Sequence, residues 1–349
     1  TTVIGSFPKP SYLPIKDWFS DTTADPLANS IHKFVDPLHQ YYLLKATQEI
    51  VKLQQNLDTV TDGEVRRYNY IFYHCRHLDG IDFTNLKNKE VRNGAYQCQS
   101  PVIISKIKVN THFLARDFLI ASLFSDKPVK VTIPGPLTIM DSLFNDFYSD
   151  KEELMKDISI ALNSEIKDLI NHGCKYIQID EPVAIRKAED FLLYGIRFLN
   201  ETLKGTEGTV ERTVHICCGY TPVADNVEYS RADNKNFLKI VTELDNSPEV
   251  DVLALEDAAL HNDLALFKQI KKSKLCLGVV ASVRTRIESV QEICQRIKDV
   301  TEVFPSQKLI VSPDCGLGLL SRDQSLRKLN NMVQAVEIIN NDIVDMDIN

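Results

Sequence analysis

Short apolar runs rich in β-branched residues recur along the chain, and each ends at a glycine, a proline or an acidic residue. This pattern is typical of parallel strands, which are covered on both faces and need no regular polar alternation. Eight such runs occur, at residues 2–7, 58–64, 129–136, 176–182, 212–219, 250–257, 275–282 and 308–316. The sequence therefore predicts eight strands.

Most of these runs are separated by segments in which apolar residues return at every third or fourth position. Residues 152–173 have this helical spacing and end at a glycine, and residues 290–304 repeat the spacing. Strands that alternate with helices build a parallel sheet, and eight such units close into a barrel. We predict an α/β protein, a (β/α)8 TIM barrel, with residues 1–349 as a single catalytic domain.

One segment is longer than a minimal barrel requires. Residues 69–126 separate the second and third predicted strands, and they include the alternating run "PVIISKIKV". Strict alternation of apolar and polar residues indicates a strand with one face in solvent. We therefore predict an insertion after strand 2, formed by residues 69–126, that covers one mouth of the barrel.

Composition narrows the classes of partner. The chain has 349 residues, a formal net charge of −8 and no long basic cluster, which argues against nucleic acid as a ligand. No stretch approaches the roughly 20 apolar residues of a membrane span. Eight cysteines in a chain of this length lack the density of a secreted disulfide scaffold. We expect a soluble, cytoplasmic protein with reduced thiols.

The residues at the predicted strand ends are candidates for chemistry, because active sites of such barrels form at the carboxyl ends of the strands. His215 and Cys217 end the fifth strand, Glu256 ends the sixth and Cys315 the eighth. Side chains alternate along a strand, so His215 and Cys217 point to one side and Cys218 to the other. His215 and Cys217 can therefore share one ion.

Thiolate and imidazole are the ligands that zinc prefers, and carboxylate is an occasional third type. We predict that His215, Cys217 and Cys315 bind Zn²⁺, with Glu256 as a displaceable fourth ligand. A different interpretation stays open at this point. Buried cysteines are common in protein cores, and a histidine on a strand is often a hydrogen-bonded core residue rather than a ligand.

Seven short blocks of the chain together carry a family resemblance. In order they are "TVIGSFPKP", "TDGEVRR", "IPGPLT", "IQIDEP", "VHICCGY", "LALEDA" and "SPDCGLG". They resemble the blocks of the catalytic barrel of cobalamin-independent methionine synthase, and the resemblance covers nearly the whole chain. The chain is also similar to single-barrel relatives that include epoxyalkane:coenzyme M transferase. In this family, zinc lowers the pKa of a thiol substrate and presents the thiolate to an alkyl donor.

The resemblance implies a role for each matching residue. It places the zinc ligands at His215, Cys217, Glu256 and Cys315, and the group that holds the homocysteine carboxylate at Ile4, Gly5 and Ser6. It also implies that Glu64 and Asp180 bind the homocysteine ammonium, which agrees with the need for an anionic patch beside an amine. Alternatively, Glu64 pairs with Arg66 or Arg67, and Asp180 caps the following helix.

The chain departs from the folate-using members of the family in two places. The position of their pterin-stacking tryptophan matches Ser142, and their Asp-x-His proton donor matches Ala281 and Val283. A folate amine is a poor leaving group unless it is protonated. The resemblance therefore implies a donor other than free methyltetrahydrofolate, such as a methylated corrinoid protein. His261 is a candidate general acid or, alternatively, a surface capping residue.

The activity that these residues imply is that of a zinc-dependent S-methyltransferase. Homocysteine would be methylated to methionine through a zinc-bound thiolate. Three other functions stay open at this stage. One is alkyl transfer to another thiol, as in epoxyalkane:coenzyme M transferase; another is the chemistry of a uroporphyrinogen decarboxylase-like barrel without metal; the third is a zinc-storing barrel without turnover.

Overall fold

The computed structural model describes residues 1–13, 37–91, 96–219, 221, 223–226 and 232–348. In this part of the chain, nine strands are present: β1 (Leu78–Val91), β2 (Tyr96–Val109), β3 (Lys130–Pro134), β4 (Phe144–Asn145), β5 (Tyr176–Asp180), β6 (Glu211–Ile216), β7 (Val252–Leu255), β8 (Lys274–Val280) and β9 (Leu309–Pro313). Six of them form one parallel sheet in the order β3-β5-β6-β7-β8-β9. These six confirm the third to eighth predicted strands, each somewhat shorter than expected.

The first two predicted strands are not regular strands. Residues 2–7 and 58–64 lie between β9 and β3 without regular strand structure; the second segment contains bends, the start of a turn and one isolated bridge between Val60 and Val129. At Gly63 and Glu64 the backbone turns away from a strand conformation, because their φ angles of 67° and 56° lie outside the extended region. Backbone hydrogen bonds nevertheless connect β9 to β3 through these two segments and so close the sheet on itself. They include Thr2 N to Val311 O (3.0 Å), Thr59 N to Thr1 O (3.2 Å) and Lys130 N to Val60 O (2.8 Å).

Helices follow the strands and pack on the outside of the sheet. They are α1 (Pro37–Leu53), α2 (Tyr70–Cys75), α3 (Leu114–Ser122), α4 (Pro136–Ser142), α5 (Lys151–Asn171), α6 (Ala188–Asp190), α7 (Ile196–Leu203), α8 (Phe237–Asn246), α9 (Leu264–Gln269), α10 (Val290–Thr301) and α11 (Arg322–Ile348), with a π-helical turn at Phe191–Gly195. The two helices predicted from spacing correspond to α5 and α10. Among the described helices, none has the length and apolar composition that a bilayer-spanning segment needs.

The segment predicted as an insertion contains a long antiparallel hairpin. Strands β1 and β2 pair from Leu78 and Val109 at the base to Val91 and Tyr96, and β4 extends the hairpin by parallel pairing with β2. The remaining described residues of 69–126 include α2 before the hairpin and α3 after it. Helix α3 packs against α1 and α5, as a helix between two barrel strands does. The extra material is therefore mainly the hairpin.

Candidate metal and substrate site

Two cysteines and one histidine meet at the carboxyl ends of β6 and β9. His215 lies within β6, Cys217 follows the end of β6, and Cys315 follows β9 by two residues. All three side chains are buried. Their candidate ligand atoms all lie within 4.8 Å of one another. The donor set and its spacing suit a metal ion that prefers sulfur and imidazole, so the structure brings together three of the four predicted ligands.

A backbone carbonyl group holds the imidazole ring of His215 in one orientation. Its Nδ1 lies 3.2 Å from the carbonyl oxygen of Ala254 in β7. A carbonyl oxygen only accepts hydrogen bonds, so the proton sits on Nδ1. In the neutral imidazole Nε2 then carries the lone pair that a metal requires, and it lies 3.4 Å from Cys315 Sγ. This is the arrangement in which a metal-binding histidine presents one nitrogen and is held through the other.

The electrostatics of the cluster favour loss of a thiol proton. A hydrogen bond from Cys315, assisted by His215, holds the pKa of Cys217 well below its usual value despite the opposing effect of burial. For His215, burial lowers the pKa, but the hydrogen bond and charge of Cys217 outweigh burial and the net pKa is raised. Metal ligands must give up protons before they coordinate. The Cys217 thiol is thus prepared for coordination.

Cys218 and Glu256 do not belong to the group of mutually close ligand atoms found among the described residues. As strand alternation predicts, Cys218 belongs to the main hydrophobic core, whereas Cys217 and Cys315 form a separate small cluster. The backbone N–H of Cys218 donates to Glu256 Oε2 at 2.8 Å. Glu256 is buried directly after β7, but the set of mutually close ligand atoms contains only His215, Cys217 and Cys315. Its role as a fourth ligand stays a prediction.

A polar network supports these loops, and sequence reasoning did not identify it. The backbone N–H of Cys315 donates to Ser282 Oγ at 2.8 Å. Asp314 accepts three backbone N–H bonds of 2.8–2.9 Å from the loop that follows β7, at Asp257, Ala258 and Ala259. The adjacent acidic residues in "LALED" and "SPDC" were its visible signal. The network joins the loop that carries Glu256 to the loop that carries Cys315.

Glu64 is a buried carboxylate with a positively charged neighbour. Arg67 Nη1 lies 3.3 Å from Glu64 Oε1, and Thr132 donates to the same oxygen at 2.8 Å. The alternative of pairing with an arginine is thus observed, and the partner is Arg67. Burial raises the pKa of Glu64 to about 7, Arg67 opposes this shift, and the charge of Asp180 adds to it. Glu64 and Asp180 are therefore electrostatic neighbours.

Asp180 ends β5 and is also buried. It accepts hydrogen bonds from the hydroxyl of Tyr70 and, at 2.7 Å, from Gln178 Nε2. It does not cap the following helix. The carboxylate that caps a helix here is its neighbour Glu181, which accepts the backbone N–H bonds of Leu137 and Thr138 at the start of α4. The alternative role for Asp180 is wrong, because the helix that follows it, α6, has Lys187 at its N-cap position and no side-chain cap.

The predicted carboxylate-binding segment lies between the metal cluster and Glu64. A β-carbon at Gly5 would overlap Glu64 Oε1, and one at Gly316, next to Cys315, would overlap Ser6 Oγ. Ile4 packs inside the barrel, where its carbonyl accepts from Gln178. The backbone N–H groups of Gly5 and Ser6 make no backbone hydrogen bond within the described residues. Their role in binding the carboxylate of a substrate stays a prediction.

The remaining candidate residues differ in their exposure to solvent. His261 is exposed in the turn after β7, with a φ of 53°, and its assignment as general acid stays a prediction. Ser142 ends α4 and donates to the carbonyl of Thr138. Ala281 and Val283 are both buried. Tyr220 of the "VHICCGY" block lies outside the described residues.

A family model described as "Cobalamin-independent synthase, Catalytic domain" matches residues 1–338. The chain belongs to this family. Methionine synthase of Saccharolobus solfataricus is 31% identical over 98% of this chain and 95% of its own length. Methionine synthase of Sulfolobus acidocaldarius is 30% identical over 98% and 93% of the two chains. The family resemblance inferred from seven short blocks is confirmed.

Solved structures of cobalamin-independent synthases agree with this assignment. The B12-independent methionine synthase from Shewanella sp. W3-18-1, solved in complex with selenomethionine, superposes with a TM-score of 0.85 at 25% identity, covering 99% of this chain and 98% of its own. A putative vitamin-B12 independent methionine synthase from Listeria monocytogenes shares the fold, with a TM-score of 0.70 at 21% identity over 97% and 96% of the two chains. The α/β fold with a parallel sheet is thus that of the family.

Proposed function

We propose that the protein is a zinc-dependent S-methyltransferase that converts homocysteine into methionine. The observation that carries this proposal is the buried cluster of His215, Cys217 and Cys315, whose ligand atoms lie within 4.8 Å of one another. Relatives of nearly the same length that are named methionine synthase support it. A metal-free, decarboxylase-like barrel has no use for such a cluster.

The donor set fits zinc, and Glu256 is proposed as a fourth, displaceable ligand. Zinc bound here would act as a Lewis acid that lowers the pKa of a thiol substrate. The protein's own contribution is to hold the ligands. Ala254 O orients His215, Ser282 holds the backbone of Cys315, and burial keeps water away from the sulfur atoms.

The substrate end of the site supports an amino acid as the methyl acceptor. We assign the ammonium to Glu64 and Asp180 and the carboxylate to the backbone of Ile4, Gly5 and Ser6. Of the charges of Glu64, Arg67 and Asp180, two are negative and one is positive, so one net negative charge remains to match an ammonium. Coenzyme M has a sulfonate and no amine, and would gain nothing from this charge.

The methyl donor is proposed to be a compound other than free methyltetrahydrofolate. The positions of the family's proton donor, Ala281 and Val283, carry no ionisable group, and Ser142 offers no ring for pterin stacking. A corrin cobalt leaves without protonation, so a methylated corrinoid protein fits. His261, in the exposed turn after β7, is proposed as a general acid for donors that need one.

The chain is proposed to be one catalytic domain in which residues 69–126 cover part of the mouth. The support is the position of α2, the first helix of this segment. It carries Tyr70, whose hydroxyl donates to Asp180 at the carboxyl end of β5. The hairpin follows α2 directly, and Ser100 in β2 donates to the carbonyl of Ser142.

The decisive experiment compares zinc content and thiol binding in three proteins. They are the wild type, Cys315→Ala and the matched control Cys218→Ala, which changes a neighbouring buried cysteine outside the cluster. Zinc is measured by elemental analysis, and proton release is recorded on addition of L-homocysteine or coenzyme M. Methionine formation is then assayed with methylcobalamin and with methyltetrahydrofolate as donors.

We expect near-stoichiometric zinc in the wild type and in Cys218→Ala, and a large loss in Cys315→Ala. L-homocysteine should release a proton and coenzyme M should not. Methionine should form with methylcobalamin and not with methyltetrahydrofolate. A wild-type protein without zinc, or one that responds equally to both thiols, would contradict the proposed function.

A further inference from the structure

Each carboxylate oxygen of Asp180 is held by a neutral donor. The Tyr70 hydroxyl donates to Oδ2, and Gln178 Nε2 donates to Oδ1 at 2.7 Å. Among the described residues, no lysine or arginine forms an ion pair with this carboxylate. The two bonds fix the plane of the carboxylate, and its remaining lone pairs are left for another donor. Tyr70 and Gln178 lie 110 and 2 residues from Asp180 in sequence.

The Gln178 amide can donate to Asp180 in one orientation only. Lys130 Nζ donates to Gln178 Oε1 at 2.6 Å, and lysine has no acceptor. The amide oxygen must therefore face Lys130, and the NH₂ group must face the opposite way. That NH₂ group donates to Asp180 and, at 2.8 Å, to the carbonyl of Ile4. Lys130 thus determines, through Gln178, that Asp180 receives a hydrogen bond.

The surroundings of Tyr70 fix both its position and its protonation state. It is the first residue of α2, whose N-terminus is capped by Asn69, and the Arg67 guanidinium lies 5.3 Å from its ring centroid. Burial, together with the negative charges of Asp180 and Glu64, raises the pKa of Tyr70 well above its usual value. The phenol therefore keeps its proton and remains a hydrogen-bond donor.

The neighbouring carboxylate, that of Glu64, has a charged partner. Glu64 has Arg67 beside it at 3.3 Å, so its charge is partly neutralised within the protein. Asp180 has no such ion pair: both of its hydrogen-bond donors are neutral, although the positive charges of His215 and Lys130 also act on it. A neutral donor orients a carboxylate without neutralising it, which suits a group that must bind a cation.

We propose that Tyr70 and Gln178 are positioning residues that aim Asp180 at the ammonium of an amino-acid thiol, and that they thereby set the preference for substrates with an α-amino group. This inference rests on the proposed function. Tyr70 acts through Asp180 and is not itself a catalytic residue. Its loss should affect ligands with an α-amino group and leave ligands without that group unaffected.

The test uses the product and its des-amino analogue, so it does not depend on the methyl donor. Binding of L-methionine and of 4-(methylthio)butanoate to the zinc-loaded protein is measured by calorimetry. The variant is Tyr70→Phe, which removes only the hydroxyl. The matched control is Tyr73→Phe, a buried tyrosine on the same helix whose hydroxyl donates to Asp117 instead.

We expect Tyr70→Phe to weaken L-methionine binding by roughly 10-fold or more, the usual effect of losing a hydrogen bond to a charged group. Binding of 4-(methylthio)butanoate should stay unchanged, and Tyr73→Phe should leave both affinities unchanged. The paired variant Lys130→Met/Gln178→Met removes the second donor without leaving a buried ammonium unpaired. It should weaken L-methionine binding more than binding of the des-amino analogue, which loses only the support that Gln178 gives to the Ile4 carbonyl.

Two results would overturn the inference. One is an unchanged ratio of the two affinities in Tyr70→Phe, and the other is equal weakening of both ligands. A wild-type protein that binds L-methionine no better than the des-amino analogue would instead contradict the proposed function. Zinc content and the thermal unfolding midpoint are recorded for every variant, so that a folding defect is distinguished from a change in selectivity.

Discussion

Glu64, Arg67 and Asp180 lie together at the mouth of the sheet, and their charges sum to one negative charge. The side chains of Glu64 and Arg67 are nearly inaccessible to solvent, at 8% and 2% exposure, so this sum is poorly screened. A substitution that changes the sum should therefore alter the affinity for an ammonium. One that preserves the sum should not, even if it removes a residue that binds the substrate.

The first prediction follows from this sum. At pH 8, where the Glu64 carboxyl with its pKa of about 7 is ionised, Glu64→Gln and Asp180→Asn each bring the sum to zero and should weaken L-methionine binding by roughly 10- to 100-fold. The double variant Glu64→Gln/Arg67→Met restores one negative charge and replaces a buried ion pair, which is often tolerated. It should recover part of the lost affinity. Calorimetry measures this, and a double variant weaker than Glu64→Gln would show that the net charge does not govern binding.

The second prediction concerns stability and pH. The folded protein raises the pKa of Glu64 from 4.5 to about 7, mainly by burial. The stability that this shift contributes is complete below pH 4.5 and is lost as the pH rises through about 7. A glutamine side chain cannot ionise, so Glu64→Gln should gain stability relative to the wild type by about 3 kcal/mol between pH 4 and pH 8. Urea unfolding at both pH values measures this, and a pH-independent difference would contradict it.

At the level of elements, short helices place the site residues. Helix α4 begins where Glu181 accepts two backbone N–H bonds, and Gly135 allows this approach because a β-carbon there would overlap the Glu181 carboxylate. The "IPGPLT" block therefore shapes the passage from β3 into α4. Helix α2, with six residues, is too short to be stable alone, and it relies on its cap.

The third prediction tests this cap. Asn69 Oδ1 accepts the backbone N–H bonds of Ile71 and Phe72 at 3.0 and 2.9 Å. Asn69→Ala should lower the free energy of unfolding by about 1 kcal/mol and weaken L-methionine binding, because Tyr70 follows the cap directly. Asn69→Asp keeps the acceptor and is the matched control. If Asn69→Ala lowers stability but leaves the affinity unchanged, the cap does not position Tyr70.

At the scale of the whole molecule, the two ends of the hairpin meet at a closely paired base. Asn110 N donates to the carbonyl of His77 at 3.0 Å, and Leu78 pairs with Val109. The metal cluster is built on β6 and β9, which belong to a different sheet from the hairpin strands β1 and β2. The hairpin and the metal cluster should therefore be separable.

The fourth prediction removes the hairpin. Replacing residues 79–108 with an Asn-Gly turn joins two positions that already pair, and such a turn suits antiparallel strands. Zinc content should stay near one ion per chain. The thermal midpoint should fall by about 5 °C or more, because Ile103 and Ile107 leave the main core. Elemental analysis and thermal unfolding measure the two effects, and loss of zinc from a folded variant would contradict the prediction.

Several features were determined by local sequence. The six strands of the parallel sheet follow from apolar runs, because both faces of such a sheet are covered. The helices α5 and α10 follow from helical spacing, because burial of one face imposes a period on the chain. The division between Cys217 and Cys218 follows from alternation along one strand, and the structure confirms it. The meeting of Cys315 with His215 was also predictable, because a barrel brings all carboxyl strand ends to one mouth.

Other features were decided only by the tertiary structure. Residues 2–7 and 58–64 have the apolar pattern of strands, but Gly63 and Glu64 adopt positive φ angles that a local pattern does not report. The partner of Glu64 was narrowed to two arginines, and only packing selected Arg67. Gln178 shares its strand face with Asp180 and could have been identified by alternation. Tyr70 could not, because its contact with Asp180 spans 110 residues and depends on how an inserted segment docks on the barrel.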